Sequence, residues 1–261
     1  MKQFVTLLVL LFYGYSAFLQ DNPGKNSRFE FFPKSRIFSL INLDPLTCKT
    51  YGGIHVLFDE GEKKKGVFIP VNMGFSKAFF GYKTEKAHFE MGLEAASYIQ
   101  FEIVHVENKT YLGGLFNNDY KSSAYISAQY MGLFYKIRLF HVSSHLGDDY
   151  MIRNEDFSRN DKSVNYEQVD LTILKKIKSA EYYVGTGYVI TPHAFRERLS
   201  FQTGMQFNIA NEKAYQWIGG IDIKTFHQTN YYPNIRAAIG TEYNNGKNPA
   251  FSSPVLAPAV H

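Results

Sequence analysis

Leu199-Ser200-Phe201-Gln202-Thr203-Gly204-Met205-Gln206-Phe207-Asn208-Ile209 alternates between two kinds of side chain along its whole length. One face reads Leu199, Phe201, Thr203, Met205, Phe207 and Ile209; the other reads Ser200, Gln202, Gly204, Gln206 and Asn208. A period of two marks a strand with one apolar face, whereas a helix of 3.6 residues per turn would scatter the two classes around its surface. A second such run sets Phe89, Met91, Leu93, Ala95, Ile99, Phe101 and Ile103 against Glu90, Gly92, Glu94, Gln100 and Glu102. Further runs near 51–58, 67–75, 122–131, 133–145, 163–175, 180–190, 215–227 and 233–243 bring the count to about ten. The segment 29–41 offers another.

These runs predict an all-β protein, and three features favour an antiparallel transmembrane β-barrel of about 10–12 strands over a soluble sandwich. The runs are about ten residues or longer, the length of a tilted membrane crossing. The polar face carries charges of both signs (Glu90, Glu94, Lys136, Arg138, Asp170, Asp222, Lys224, Arg236, Glu242), as a narrow, side-chain-filled lumen requires. The connections alternate in length: Met131-Gly132, the stretch near Lys178 and 210–214 are short, while 105–121, 146–162, 190–197 and 227–233 are longer. That is the pattern of periplasmic turns and extracellular loops.

Composition agrees. The chain has 19 Tyr and 23 Phe, an aromatic load suited to strands and membrane-interface girdles. The net charge of +4 includes one basic run, Lys63-Lys64-Lys65 before Gly66, which reads as a loop, so a nucleic-acid partner is not expected. Cys48 stands alone, forms no internal disulfide and reads as a small loop residue. Lys2, the apolar stretch Phe4 to Phe12 and then Ser16 and Ala17 resemble a secretory signal over residues 1–20. No segment offers about 18 consecutive apolar residues, so the expected destination is the bacterial outer membrane, entered by strands. Residues 21–247 form the barrel in this reading. Residues 248–261 form an unstructured tail, because Pro249 and Pro254 cannot sit in a central strand.

The candidate chemistry lies where the outward face of one strand turns polar. Leu133, Tyr135, Ile137 and Leu139 share a parity that continues as His141, Ser143 and His145, while Lys136 and Arg138 take the opposite face. The next strand runs back through Ile173, Leu171, Val169, Glu167 and Asn165. If the two pair, His141 and Ser143 face Glu167 and Asn165 at about 5 Å. Polar groups toward hydrocarbon are costly, so the cluster is either a site or a belt at the headgroup boundary. As a site it would hydrolyse acyl esters of membrane phospholipid or lipopolysaccharide, with Ser143 the nucleophile, His141 the general base and Glu167 or Asn165 orienting the imidazole. The alternatives are a structural or binding barrel without catalysis and a small porin. No cofactor motif is present. A cation gathered by Asp148 and Asp149 would be calcium, which prefers carboxylate and carbonyl oxygens to imidazole.

The stretch His141-Val142-Ser143-Ser144-His145-Leu146-Gly147-Asp148-Asp149 resembles the bacterial family called domain of unknown function 1207. The resemblance extends to Leu43-Asp44-Pro45, Asn118-Asp119-Tyr120, Glu167 and Tyr243-Asn244-Asn245-Gly246-Lys247. It implies an exported outer-membrane barrel and no established activity, and it departs after Lys247, where one more closing strand is expected. Separately, His141-Val142-Ser143 is similar to the His-x-Ser pair of outer-membrane phospholipase A and the lipid A deacylases, small barrels with lipid-facing active sites. Their serine is usually followed by asparagine; here Ser144 follows.

Overall fold

The alternation of period two resolves into a single antiparallel sheet. The computed structural model describes residues 27–34, 36–58, 65–106, 109–153, 164–191, 198–210, 215–243 and 259–260. The strands are β1 (Arg28–Phe31), β2 (Tyr51–Gly52), β3 (His55–Phe58), β4 (Lys65–Lys83), β5 (Ala87–Val106), β6 (Lys109–Tyr130) and β7 (Leu133–Leu146). They continue as β8 (Val164–Ile177), β9 (Ala180–Thr191), β10 (Leu199–Ala210), β11 (Tyr215–Phe226), β12 (Asn234–Tyr243) and β13 (Ala259–Val260), with one short helix, α1 (Asp148–Arg153). The hydrogen-bonded path runs β1-β4-β5-β6-β7-β8-β9-β10-β11-β12-β13, eleven strands, while β2 and β3 lie beside β4. From β4 to β12 every neighbour in space is a neighbour in sequence, so no connection has to cross the sheet. At Met131-Gly132 both residues take positive φ, 51° and 75°. That two-residue turn has the twist of the strands it joins, and glycine serves its second position without a Cβ penalty.

The all-β antiparallel expectation holds. The path is not closed: among the described residues no ladder joins its first and last strands. The expected loop 105–121 is corrected, because β6 begins at Lys109. Its ladder with β5 slips twice, between Gln100 and Phe101 and between Glu102 and Ile103, so that Phe116 and Gly113 are extra residues. Each β-bulge breaks the alternation by one residue, which is why a period-two reading loses the strand there. The expected strand 29–41 is also corrected, since only Arg28–Phe31 pairs. The export signal and most of residues 248–261 lie outside the described residues; Ala259 and Val260 pair with β12. No described helix is long and apolar enough to cross a membrane, which leaves crossing by strands untouched.

The chain between β1 and β2 turns into the concave face of the sheet. The Ile37 N–H donates to Glu90 Oε2 on β5 (3.1 Å), the Asn42 N–H to Gln206 Oε1 on β10 (3.0 Å), and Lys121 Nζ on β6 to the Leu46 carbonyl (2.6 Å). Ser39 Oγ donates to Glu181 on β9 and accepts from Lys176 on β8. On a flat sheet β6 and β11 would stand roughly 24 Å apart. Yet residues 42 to 46 reach β6, β7, β10 and β11, so the sheet is strongly curved around them. Two apolar clusters fill the rest of the concavity, one joining Phe38 and Ile41 to Leu174 and Tyr183, the other joining Phe140, Val142, Tyr166 and Val189, with Leu46 against it. An interior cavity lined by Phe38, Asp44, Cys48, Glu94 and Arg138 measures about 20 Å³, room for about one water. Cys48, expected as a loop residue, is 2% exposed within this segment.

Asp44 is the anchor. Its carboxylate lies 3.5 Å from Arg138 and 3.7 Å from Lys224, and it is 4% exposed. Burial alone would push its carboxyl up, but the Lys224, Arg138 and Lys121 charges together hold it far below the usual carboxylate range. A depressed carboxyl contributes stability that is fully present above its unfolded value of about 4 and is lost as pH falls through the folded one. Asp44→Ala takes the carboxylate from buried Lys224, leaves Arg138 with Asp170, and should cost about 3–5 kcal/mol in denaturant unfolding. The stability gap between wild type and Asp44→Asn should be present at pH 5 and shrink in stronger acid. A gap that widens as the pH falls below 4 would contradict this assignment.

Candidate functional site

β7 and β8 pair with His141 opposite Glu167 and Ser143 opposite Asn165, the register that their alternation requires. Phe140, Val142 and Arg138 are buried in the concavity, whereas Ile137 is exposed and Leu139, His141 and Ser143 are half-exposed. The parity argument therefore places His141 and Ser143 on the convex, outward face. Two cross-strand rows run through them. One reads Met73, Ser97, Tyr120, Ser143, Asn165; the other reads Phe75, Ala95, Ser122, His141, Glu167.

Within these rows His141 Nδ1 and Glu167 Oε1 are 2.9 Å apart, with side chains 43% and 42% exposed. Ser143 Oγ lies 2.7 Å from His145 Nε2, so the serine contacts the following histidine of its face and not His141. The His145 ring meets Tyr120 edge to face at 6.3 Å. Asn118 Nδ2 donates to the Tyr120 hydroxyl at 2.6 Å, and Ser97 Oγ donates to Asn118 Oδ1 at 2.9 Å. Ser144, of opposite parity, turns inward and donates to Asp119.

The end of β7 is fixed by a close backbone approach. The Gly147 N–H donates to the Phe116 carbonyl at 2.8 Å, and a Cβ at Gly147 would fall 2.0 Å from the Leu115 carbonyl oxygen. Only glycine fits there. One residue into α1, Asp149 Oδ2 accepts from the Leu115 N–H at 3.0 Å, so this carboxylate ties the helix to β6. Among the described residues no three His, Cys, Asp or Glu side chains gather to hold a metal ion, and the calcium expectation at Asp148 and Asp149 finds no ligand set there.

Sequence reading alone identified His141, Ser143, Asn165 and Glu167 but not the neighbours Ser97 and Ser122, nor any role for Tyr120 and Asn118. The last two fell inside the supposed loop, and extending the parity of β6 back from Ser122 finds both. The neighbours border a surface groove of about 340 Å³ lined by Met73, Phe75, Ala95, Ser97, Tyr120, Ser122 and His141.

A family model described as protein of unknown function (DUF1207) matches residues 30–250. No curated protein and no solved structure matches the chain.

The register makes a direct prediction. His141→Cys combined with Glu167→Cys places two thiols opposite each other on one face, within disulfide reach, and should cross-link under mild oxidant. Ser144→Cys with Glu167→Cys points the thiols to opposite faces and should remain reduced. Cross-linking of the second pair alone would show that the register of β7 against β8 is shifted.

Proposed function

The chain belongs to the DUF1207 family of proteins of unknown function, and from its own geometry we propose that it is an outer-membrane β-barrel that hydrolyses acyl esters of membrane lipids. The hydrolytic site is outward-facing and built on Ser143, His141 and Glu167. One observation carries the reading: an imidazole held by a carboxylate at 2.9 Å, next to a serine on the same strand face, on the side of the sheet turned away from the filled interior.

The outward face supports a membrane setting. Large apolar side chains stand exposed across it, including Met91, Leu93, Leu171, Val184, Ile221 and Ile239. Aromatic residues gather toward both ends: Phe29, Phe31, Phe80, Tyr130, Tyr182 and Trp217 near the short turns, Tyr188, Phe201, Tyr231 and Tyr232 near the longer connections. In water such a surface would be an aggregation liability; in a bilayer it is an apolar band between girdles. Ser143 lies eleven residues beyond Gly132. That is roughly 37 Å along the strand, or roughly 28 Å of height at a tilt of about 40°. A band about 25 Å tall ends there, at the level of lipid ester groups. The porin alternative finds no support in a concavity occupied by the chain between β1 and β2.

In the proposed mechanism Glu167 accepts from His141 Nδ1, fixing the tautomer whose Nε2 is the base. Rotation of Ser143 about χ1 brings Oγ from His145 toward His141; catalytic hydrogen bonds are commonly incomplete without substrate. Oγ then attacks the acyl carbonyl carbon as its proton passes to His141 Nε2. Collapse of the tetrahedral adduct breaks the ester C–O bond, and the imidazolium gives its proton to the departing alcohol. Water, deprotonated by the same base, releases the fatty acid from the acyl-serine. Asn165, opposite Ser143, offers an amide beside the developing oxyanion.

Purified protein in lipid micelles tests this. Ser143→Ala and His141→Ala should fold as wild type, since neither buries much apolar area, yet lose acyl hydrolysis by about three orders of magnitude. Glu167→Gln should fall between, and Ser144→Ala should stay near wild type. Equal hydrolysis by wild type and Ser143→Ala would refute the proposal.

A further inference from the structure

The groove beside the site is not accounted for by the hydrolytic residues alone. Its floor is Ala95 and Ser122, with Ser97 at one end. Its far wall is Met73 and Phe75, and its near wall is Tyr120 and His141. The floor dips because small side chains, Ala95 and Ser97 on β5 and Ser122 on β6, lie between Met73 and Phe75 on β4 and Tyr120 and His141 on the other side. Ser97 spends its hydroxyl proton on Asn118. At about 340 Å³ the groove lies within the range of ligand clefts, roughly 300–1,000 Å³, and it ends at the imidazole that Glu167 holds.

We infer that the groove seats one acyl chain of a glycerophospholipid, with the chain lying over Ala95 and Ser122 and its ester presented to Ser143. The inference rests on the hydrolase reading and names its substrate. Continuity with His141 identifies the occupant: a chain in the groove brings the carbonyl to which it is bonded to the polar rows. A lipid with two chains can place one in the groove and leave the other in the bilayer. Bis-phosphorylated lipid A would call for paired cations at its headgroup. The described border of the site, His141, His145, Glu167, Asn165, Asn118 and Tyr120, holds no such pair of Lys or Arg.

Filling the floor should act as a ruler. Ala95→Phe and Ser122→Leu are changes on a partly exposed face that leave the interior untouched. Each should reduce hydrolysis of phospholipids with sixteen- and eighteen-carbon chains about tenfold or more, while esters of six to eight carbons are cleaved as by wild type. Equal loss at every chain length, or none, would overturn the groove assignment, and hydrolysis of lipid A in place of phospholipid would overturn the choice of lipid. Binding is read separately in the inactive Ser143→Ala protein, using a phospholipid with a diazirine in its acyl chain. Cross-links should concentrate on β4, β5 and β6 at the groove, and an even spread over the outward faces of β8 to β12 would refute it. Full activity in Ser143→Ala with cross-links in the groove would sink the hydrolase reading while leaving the chain site standing.

Discussion

The carboxylate of Asp44 meets Arg138 from one side of the sheet and Lys224 from the other, and the rest of the architecture follows from that meeting. A sheet of this length twists and curls of its own accord, but its twist does not specify what occupies the concavity. Two buried cations on strands far apart in the sheet, each needing an anion, set that choice. Around the central contact the charges alternate in sign: Glu94 with Lys136 and Lys121, Arg138 with Asp170, Asp222 with Arg236. Removing a member leaves its partners desolvated with fewer opposite charges, and such networks can fix one arrangement even where their net stabilisation is modest.

With the concavity filled, the proposed chemistry falls to the convex face. On that face polar side chains are conspicuous, and the rows through Ser143 and His141 hold several that bond mainly to one another. His141 has its carboxylate, Ser143 has His145, and Tyr120 has Asn118. Such mutual satisfaction is what a polar cluster at an apolar boundary needs for tolerance there, whether or not it also reacts. The groove is the feature that a purely structural belt would not require.

Much of this was legible in the chain. The alternation at Leu199–Ile209 and Leu133–His145 reports a real asymmetry between the two faces, so strand, face and neighbour register could be read from parity alone. The inward set Glu90, Glu94, Lys136, Arg138, Asp170, Asp222 and Lys224 was visible for the same reason, and all but Lys136 are fully buried. What escaped has physical causes. Two bulges in β6, at Phe116 and Gly113, break the alternation before Asn117, and the polar run Asn117-Asn118-Asp119 reads as loop. The internal segment could not be foreseen because its partners are remote in sequence, Asn42 bonding to Gln206 across 164 positions. The serine's choice of His145 over His141 depends on a rotamer, which no pattern encodes.

The unequal strand lengths have a consequence of their own. β4, β5 and β6 run for 19, 20 and 22 residues, whereas β9, β10 and β11 have 12 each. At about 3.3 Å per residue the long trio measures 60 Å or more, far beyond a hydrocarbon core of roughly 30 Å, while the short strands match it at ordinary tilt. In a bilayer the molecule would therefore be lopsided, with a parapet on one flank standing clear of the headgroups. Such a parapet would shadow part of the surrounding leaflet and give lateral traffic toward β7 and β8 a preferred bearing.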